Sequence, residues 1–184
     1  MRIFILLICI FQLSYSFCQS KNLSNEVLLN ILGTSYNYSK PKILKTLDST
    51  GVEFHLKMLI NKKSRLYDVK IEPNKNSIRS LVLSKIERGL IIKSIRKQYQ
   101  EEWKAEDFEG FDLIDSDESG NYLQADYKNT IAEISRPIFL RNNAIAVVYF
   151  ANFCCGGSGY NGLSFYKKEK GKWKLWIPIS SGDF

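Results

Sequence analysis

"RPIFLRNNAIAVVYFANFCCGGSGYNGLSFYKKEKGKWKLWIPI", residues 136–179, decides the fold. Pro137 starts an extended segment and pushes Arg136 out of the helical region, so Ile138 onward reads as a strand. Asn142 and Asn143 suit a two-residue hairpin turn, because asparagine tolerates the left-handed conformation such turns require. Residues 144–153 are apolar on both alternating sets except at Asn152, which predicts a central strand covered on both faces. "GLSFYKK" and "KWKLWIPI" form a second hairpin around "EKG". Four consecutive antiparallel strands therefore close the chain. The expected fold class is α+β: an antiparallel sheet with this four-strand meander, packed with one to three helices.

Upstream, the signals are shorter. In "KNLSNEVLLNILG" Ser24 is a reasonable N-cap, Val27, Leu28 and Ile31 share a face, and Gly33 is a reasonable stop. "VEFHLKMLI" alternates Val52, Phe54, Leu56 and Met58 against Glu53, His55 and Lys57, which predicts a strand with His55 on its wet side. "RLYDVKIEP" alternates again, and "NKK" between the two fits a hairpin turn. Ile78 to Leu83 reads as a further strand. Ser84 and Glu87 then form a capping-box pattern, opening a helix from Lys85 to about Gln100 that buries Leu90, Ile91, Ile95 and Tyr99.

The first twenty residues, "MRIFILLICIFQLSYSFCQS", follow the layout of a secretory signal peptide: Arg2, an apolar run from Ile3 to Leu13 broken by Gln12, then small and polar residues. The run is too short to span a bilayer, which takes ~20 apolar residues. The expected organisation is a cleaved leader, 1–20, and one α+β domain, 21–184, with no transmembrane segment in the mature chain. The protein is expected to be exported, periplasmic or secreted. A lipid anchor at Cys18 is disfavoured because Phe17 stands where lipoprotein signals want a small residue. "NLS" and "NYS" (Asn22, Asn37) are glycosylation acceptors only in a eukaryotic secretory pathway.

The net charge of +7 is uneven, since nine acidic side chains face one lysine between Glu101 and Glu118. A basic total can attract nucleic acid, but export removes that partner, and a solvated basic surface with one acidic patch accounts for the pattern. A protein or envelope partner remains open.

The sites that look active mostly dissolve. Gly157, Gly159 and Gly162 match the dinucleotide fingerprint, yet that motif needs a following helix, and here a strand follows. No cofactor is expected, and the glycines read as a turn. Cys154 and Cys155 are adjacent, with Cα atoms about 3.8 Å apart, below the usual ~4.4–6.8 Å disulfide span. Buried thiols, a strained vicinal disulfide, and one thiol paired with another molecule all fit. A thiol–His55 dyad lacks any supporting protease or hydrolase signature. Asp115, Asp117, Ser119 and Asp126 occupy EF-hand loop positions 1, 3, 5 and 12, with Gly120 at 6, which makes them calcium candidates. Leu123 stands at position 9, and the flanks do not read as helices.

The C-terminal run resembles a group of small exported bacterial proteins to which no activity is attached. The shared features are Ser135-Arg136-Pro137-Ile138-Phe139, the Cys155-Gly156 loop opening, and Tyr166-Lys167-Lys168 before Gly171-Lys172-Trp173. The resemblance implies a disulfide stapling the loop, but Gly159 stands at the second cysteine's place and Cys154 is extra. No catalytic constellation emerges. The leading expectation is a non-catalytic envelope or secreted binding module, and the alternative is a small hydrolase using acidic or thiol residues.

Overall fold

The computed structural model describes residues 23–33, 40–61, 66–72, 75–108, 110–154 and 158–183. Its helices are α1 (23–33), α2 (Ser49–Asn61), α3 (Lys85–Lys97) and α4 (Ser116–Ala125). Its strands are β1 (Lys42–Leu44), β2 (Leu66–Glu72), β3 (Lys75–Leu81), β4 (Leu113–Ile114), β5 (Thr130–Ile134), β6 (Ile138–Leu140), β7 (Ile145–Cys154), β8 (Ser158–Glu169) and β9 (Lys172–Asp183).

The C-terminal meander forms as predicted. β6 to β9 pair antiparallel in sequence order, with Leu140 opposite Ile145, Cys154 opposite Ser158 and Glu169 opposite Lys172. Lys170 and Gly171 make the last turn with φ of 50° and 79°, the left-handed pair that matches strand twist. At the first turn Arg141 is left-handed as well as Asn142 and Asn143. Pairing therefore stops at Leu140 and Ile145, although the Ala144 amide still donates to the Arg141 carbonyl at 3.2 Å. The Arg141 side chain is committed elsewhere: its guanidinium donates to Glu87 Oε1 at 2.8 Å and to the Val82 carbonyl at 2.6 Å.

β7 is the centre of the sheet. β8 lies on one side, and β5 and β6 share the other, giving the order β4-β1-β5-β7-β8-β9 with β6 also on β7. β1 runs parallel to both β4 and β5, so the sheet is mostly antiparallel with a parallel flank. Between β5 and β6 the chain leaves the ladder at Ser135–Pro137. Side chains fill the gap: Gln98 Oε1 accepts from the Arg136 amide at 2.6 Å, and Ser135 Oγ accepts from the Tyr149 amide at 2.9 Å. β2 and β3 form a separate antiparallel pair.

Successive residues of β7 point to opposite faces, and each face carries its own core. Val147, Tyr149 and Ala151 pack with Val52, Leu56 and Leu59 of α2 and Ile91 and Ile95 of α3. Ala146, Val148 and Phe150 pack with Val27, Leu28, Ile31 and Leu32 of α1 and with Trp103 and Trp173. Both alternating sets of β7 are buried as far as Ala151, which is why its sequence is apolar throughout.

Four expectations need correction. The stretch 52–60 is helix, not strand: Val52, Leu56 and Leu59 are fully buried at helical spacing, while Phe54 and Met58, which alternation would bury, are exposed. β2 pairs with β3, not with 52–60; part of the "NKK" turn lies outside the described residues. Ser24 lies inside α1, not at its cap. The capping box at Ser84 and Glu87 is present in both directions, at 3.1 and 2.7 Å. α3 buries Ile91 and Ile95 but leaves Leu90 exposed.

Candidate functional site

A cleft of about 530 Å³ opens between α1 and the α1-facing side of the sheet. Its origin is local. On that face β8 presents, at every second position, Tyr160, Gly162, Ser164 and Tyr166, opposite Asn152, Phe150, Val148 and Ala146 of β7. Two small residues between two tyrosines leave a hollow that the neighbouring strands do not fill. Phe150 and Trp173 wall it, Asn30 and Ile31 of α1 cover it, and Lys172, Lys174 and Leu175 stand on the β9 side. Ser164 is buried and Leu175 is half exposed, so the cleft has a floor and a mouth. Burial, and then the nearby Tyr160, raise the Tyr166 phenol above its ordinary range, leaving a neutral hydroxyl there.

The opposite face of the sheet holds a polar cluster under α2. Asp48 caps that helix, its carboxylate accepting from the Thr50 amide at 3.0 Å and the Gly51 amide at 3.3 Å. Its own amide donates to Glu133 Oε1. Glu133, on β5, is 1% exposed, and its Oε2 accepts from the Tyr149 hydroxyl at 3.5 Å. Burial pushes the Glu133 carboxyl up to about 7, against the opposing pull of the Asp48 amide. His55 lies beside Tyr149, the ring centroids 5.7 Å apart, and its Nε2–H donates to Asn161 Oδ1 at 3.0 Å. Burial lowers its proton affinity. This cluster joins α2 to β5, β7 and β8 but does not line the cleft.

The residues singled out from sequence are placed as follows. Asp115 precedes α4, Asp117 and Ser119 lie within it, and Asp126 follows it. A ten-residue helix is about 15 Å long, so these oxygens do not surround one ion. Asp115 pairs instead with Lys45 Nζ at 2.5 Å, Ser119 Oγ donates to the Ser116 carbonyl, and Asp126 accepts from the Lys128 amide. Among the described residues no group of three or more metal-binding side chains occurs. Cys154 ends β7 with its Sγ 3.7 Å from Ser158 Oγ. Cys155, residues 1–20 with Cys18, and both Asn22 and Asn37 lie outside the described residues. Ser158 to Gly162, read as part of a turn, are the first residues of β8.

His55 was expected on a wet strand face and is fully buried, because the helical period turns it inward. Glu133, Tyr149 and the cleft's Ser164 were not singled out, and Gly162 was read only as part of the rejected dinucleotide motif and its turn. The spacing Tyr160-x-Gly162-x-Ser164-x-Tyr166 was the available signal, hidden by reading its first half as a turn. No protein-family model, curated protein or solved structure matches the chain.

Proposed function

We propose that this protein is an exported, non-catalytic binding module that takes a small ligand with an apolar body in the cleft between α1 and β7–β9. The observation that carries this reading is the hollow at Gly162 and Ser164, walled by aromatic side chains and close in size to ligand pockets of ~300–1,000 Å³.

The uncharged probe N-phenyl-1-naphthylamine, whose emission rises in apolar surroundings, tests it. Saturable one-to-one binding to the purified protein is the expected result. Ser164→Leu, which fills the hollow, should weaken it at least about tenfold while leaving the far-ultraviolet circular dichroism unchanged. Equal binding by the folded variant would sink the cleft reading. Export rests on the N-terminal pattern from Arg2 to Ser20. N-terminal sequencing of protein recovered from the producing cells should begin after Cys18 or Ser20, and retention of Met1 would rule export out.

A further inference from the structure

Resting on the cleft reading above, we infer that the ligand is an uncharged ring compound bearing a hydroxyl or carbonyl oxygen, which the hydroxyls of Ser164 and Tyr166 bind inside the cleft. Two residues apart on β8, these side chains project to one face of the sheet. They stand opposite Val148 and Ala146 of β7, which belong to the core under α1, so both turn toward the cleft they line. Ser164 is 4% exposed and Tyr166 9%. Neither hydroxyl has a hydrogen-bond partner among the described residues. Nor is either oxygen among the sealed, unpartnered polar atoms of the described residues. What little of each side chain is accessible therefore includes its hydroxyl, and it opens on the cleft.

The charge of the lining decides the rest. Among the described residues around the cleft only Lys172 and Lys174 are ionic, and they flank Trp173 on β9. Trp173 pairs with Lys168, whose Nζ reaches Glu26 of α1 at 2.9 Å. Trp173 thus shares the α1 side, and the two lysines beside it turn to the other face of the strand. An ion enclosed in the cleft would lose its hydration with no counter-charge to replace it. The Tyr166 phenol, its proton held by burial and by the nearby Tyr160, is a neutral group that both donates and accepts, as is the Ser164 hydroxyl. Phe150 and Trp173 give a ring its apolar walls, and Gly162 leaves room beside Ser164. A neutral ring with one polar oxygen meets both kinds of wall, whereas a bare hydrocarbon leaves the two hydroxyls without partners.

Displacement of N-phenyl-1-naphthylamine by 2-naphthol, 2-methylnaphthalene and 2-naphthoate near neutral pH tests it. The first two differ by a hydroxyl against a methyl of similar size, and the third carries a charge at the same ring position. 2-Naphthol should bind at least about tenfold more tightly than either of the others. In Ser164→Ala/Tyr166→Phe, which removes only the two oxygens, 2-naphthol and 2-methylnaphthalene should come within about threefold of each other. Both are read on one protein, so a general loss of affinity does not move the ratio. Equal binding of 2-naphthol and 2-methylnaphthalene by the wild type would overturn the hydroxyl assignment while leaving the cleft reading intact. 2-Naphthoate binding as tightly as 2-naphthol would overturn the uncharged assignment, and a preference for 2-naphthol that survives in the variant would overturn the role of these two side chains. Failure of N-phenyl-1-naphthylamine itself to bind would remove the underlying cleft reading.

Discussion

Glu133 sets the cost of burial against the hydrogen bonds that accompany it. Its strand, Thr130–Ile134, is otherwise apolar or β-branched, and the carboxyl enters the core because the first amide of the α2 cap needs an acceptor. A folded-state value near 7, against an ordinary 4.5, means the native protein holds this proton longer than the unfolded chain does. The resulting stabilisation is complete below about pH 4.5 and is lost as pH rises through about 7, amounting to about 3 kcal/mol at most. His55 acts in the opposite sense. Its lowered proton affinity contributes stability above its ordinary 6.5, and that contribution is lost as pH falls. Glu133→Gln isolates the first effect, since His55 is common to both proteins. In urea unfolding the variant should gain on the wild type between about pH 4 and about pH 8 by up to about 3 kcal/mol. A constant difference would show that Glu133 does not titrate in this window. Neither residue's burial was legible in the sequence. A glutamate between alanine and isoleucine in a strand is the pattern of an edge or wet face, until an element 85 residues upstream brings an amide to it.

At the scale of elements, α2 shows where period alone misleads. Val52, Leu56 and Leu59 fit a helical stripe, and Val52, Phe54, Leu56 and Met58 fit an alternating strand. The arbiter was Asp48, whose carboxylate takes the Thr50 and Gly51 amides and makes the stretch start as a helix. α3 was legible because its capping box precedes an unambiguous stripe. Gly89, inside it, meets nothing within 4 Å of an added Cβ and has no left-handed φ. Gly89→Ala should therefore stabilise the protein by about 0.5–1 kcal/mol, read as a raised urea midpoint with unchanged slope. A destabilised variant would mean that this turn of α3 packs more closely than it does here. α4 went unread because Asp, Ser, Gly and Asn suggest a loop. It buries none of its residues, so no apolar stripe announces it.

Across the whole molecule, β7 holds the two cores together, being paired on both edges and covered on both faces. Opening its amides exposes both cores at once, whereas α4 can fray without exposing any. Native-state hydrogen exchange should therefore be slowest in residues 145–151 and fast in Ser116–Ala125. Comparable protection in the two would contradict a sheet organised around β7. The sequence by itself determined the α+β class, the order of the last four strands with the Lys170–Gly171 turn, and α3 with its cap. These rest on local signals: alternation, turn residues with positive φ, and a hydroxyl–carboxylate pair three residues apart. Only the tertiary structure decided that β1 joins β4 and β5 in parallel, that Glu133 meets Asp48, and that Gly162 and Ser164 leave a hollow beneath α1. Each of those depends on which distant segment packs against a residue, and no period along the chain encodes a neighbour's position.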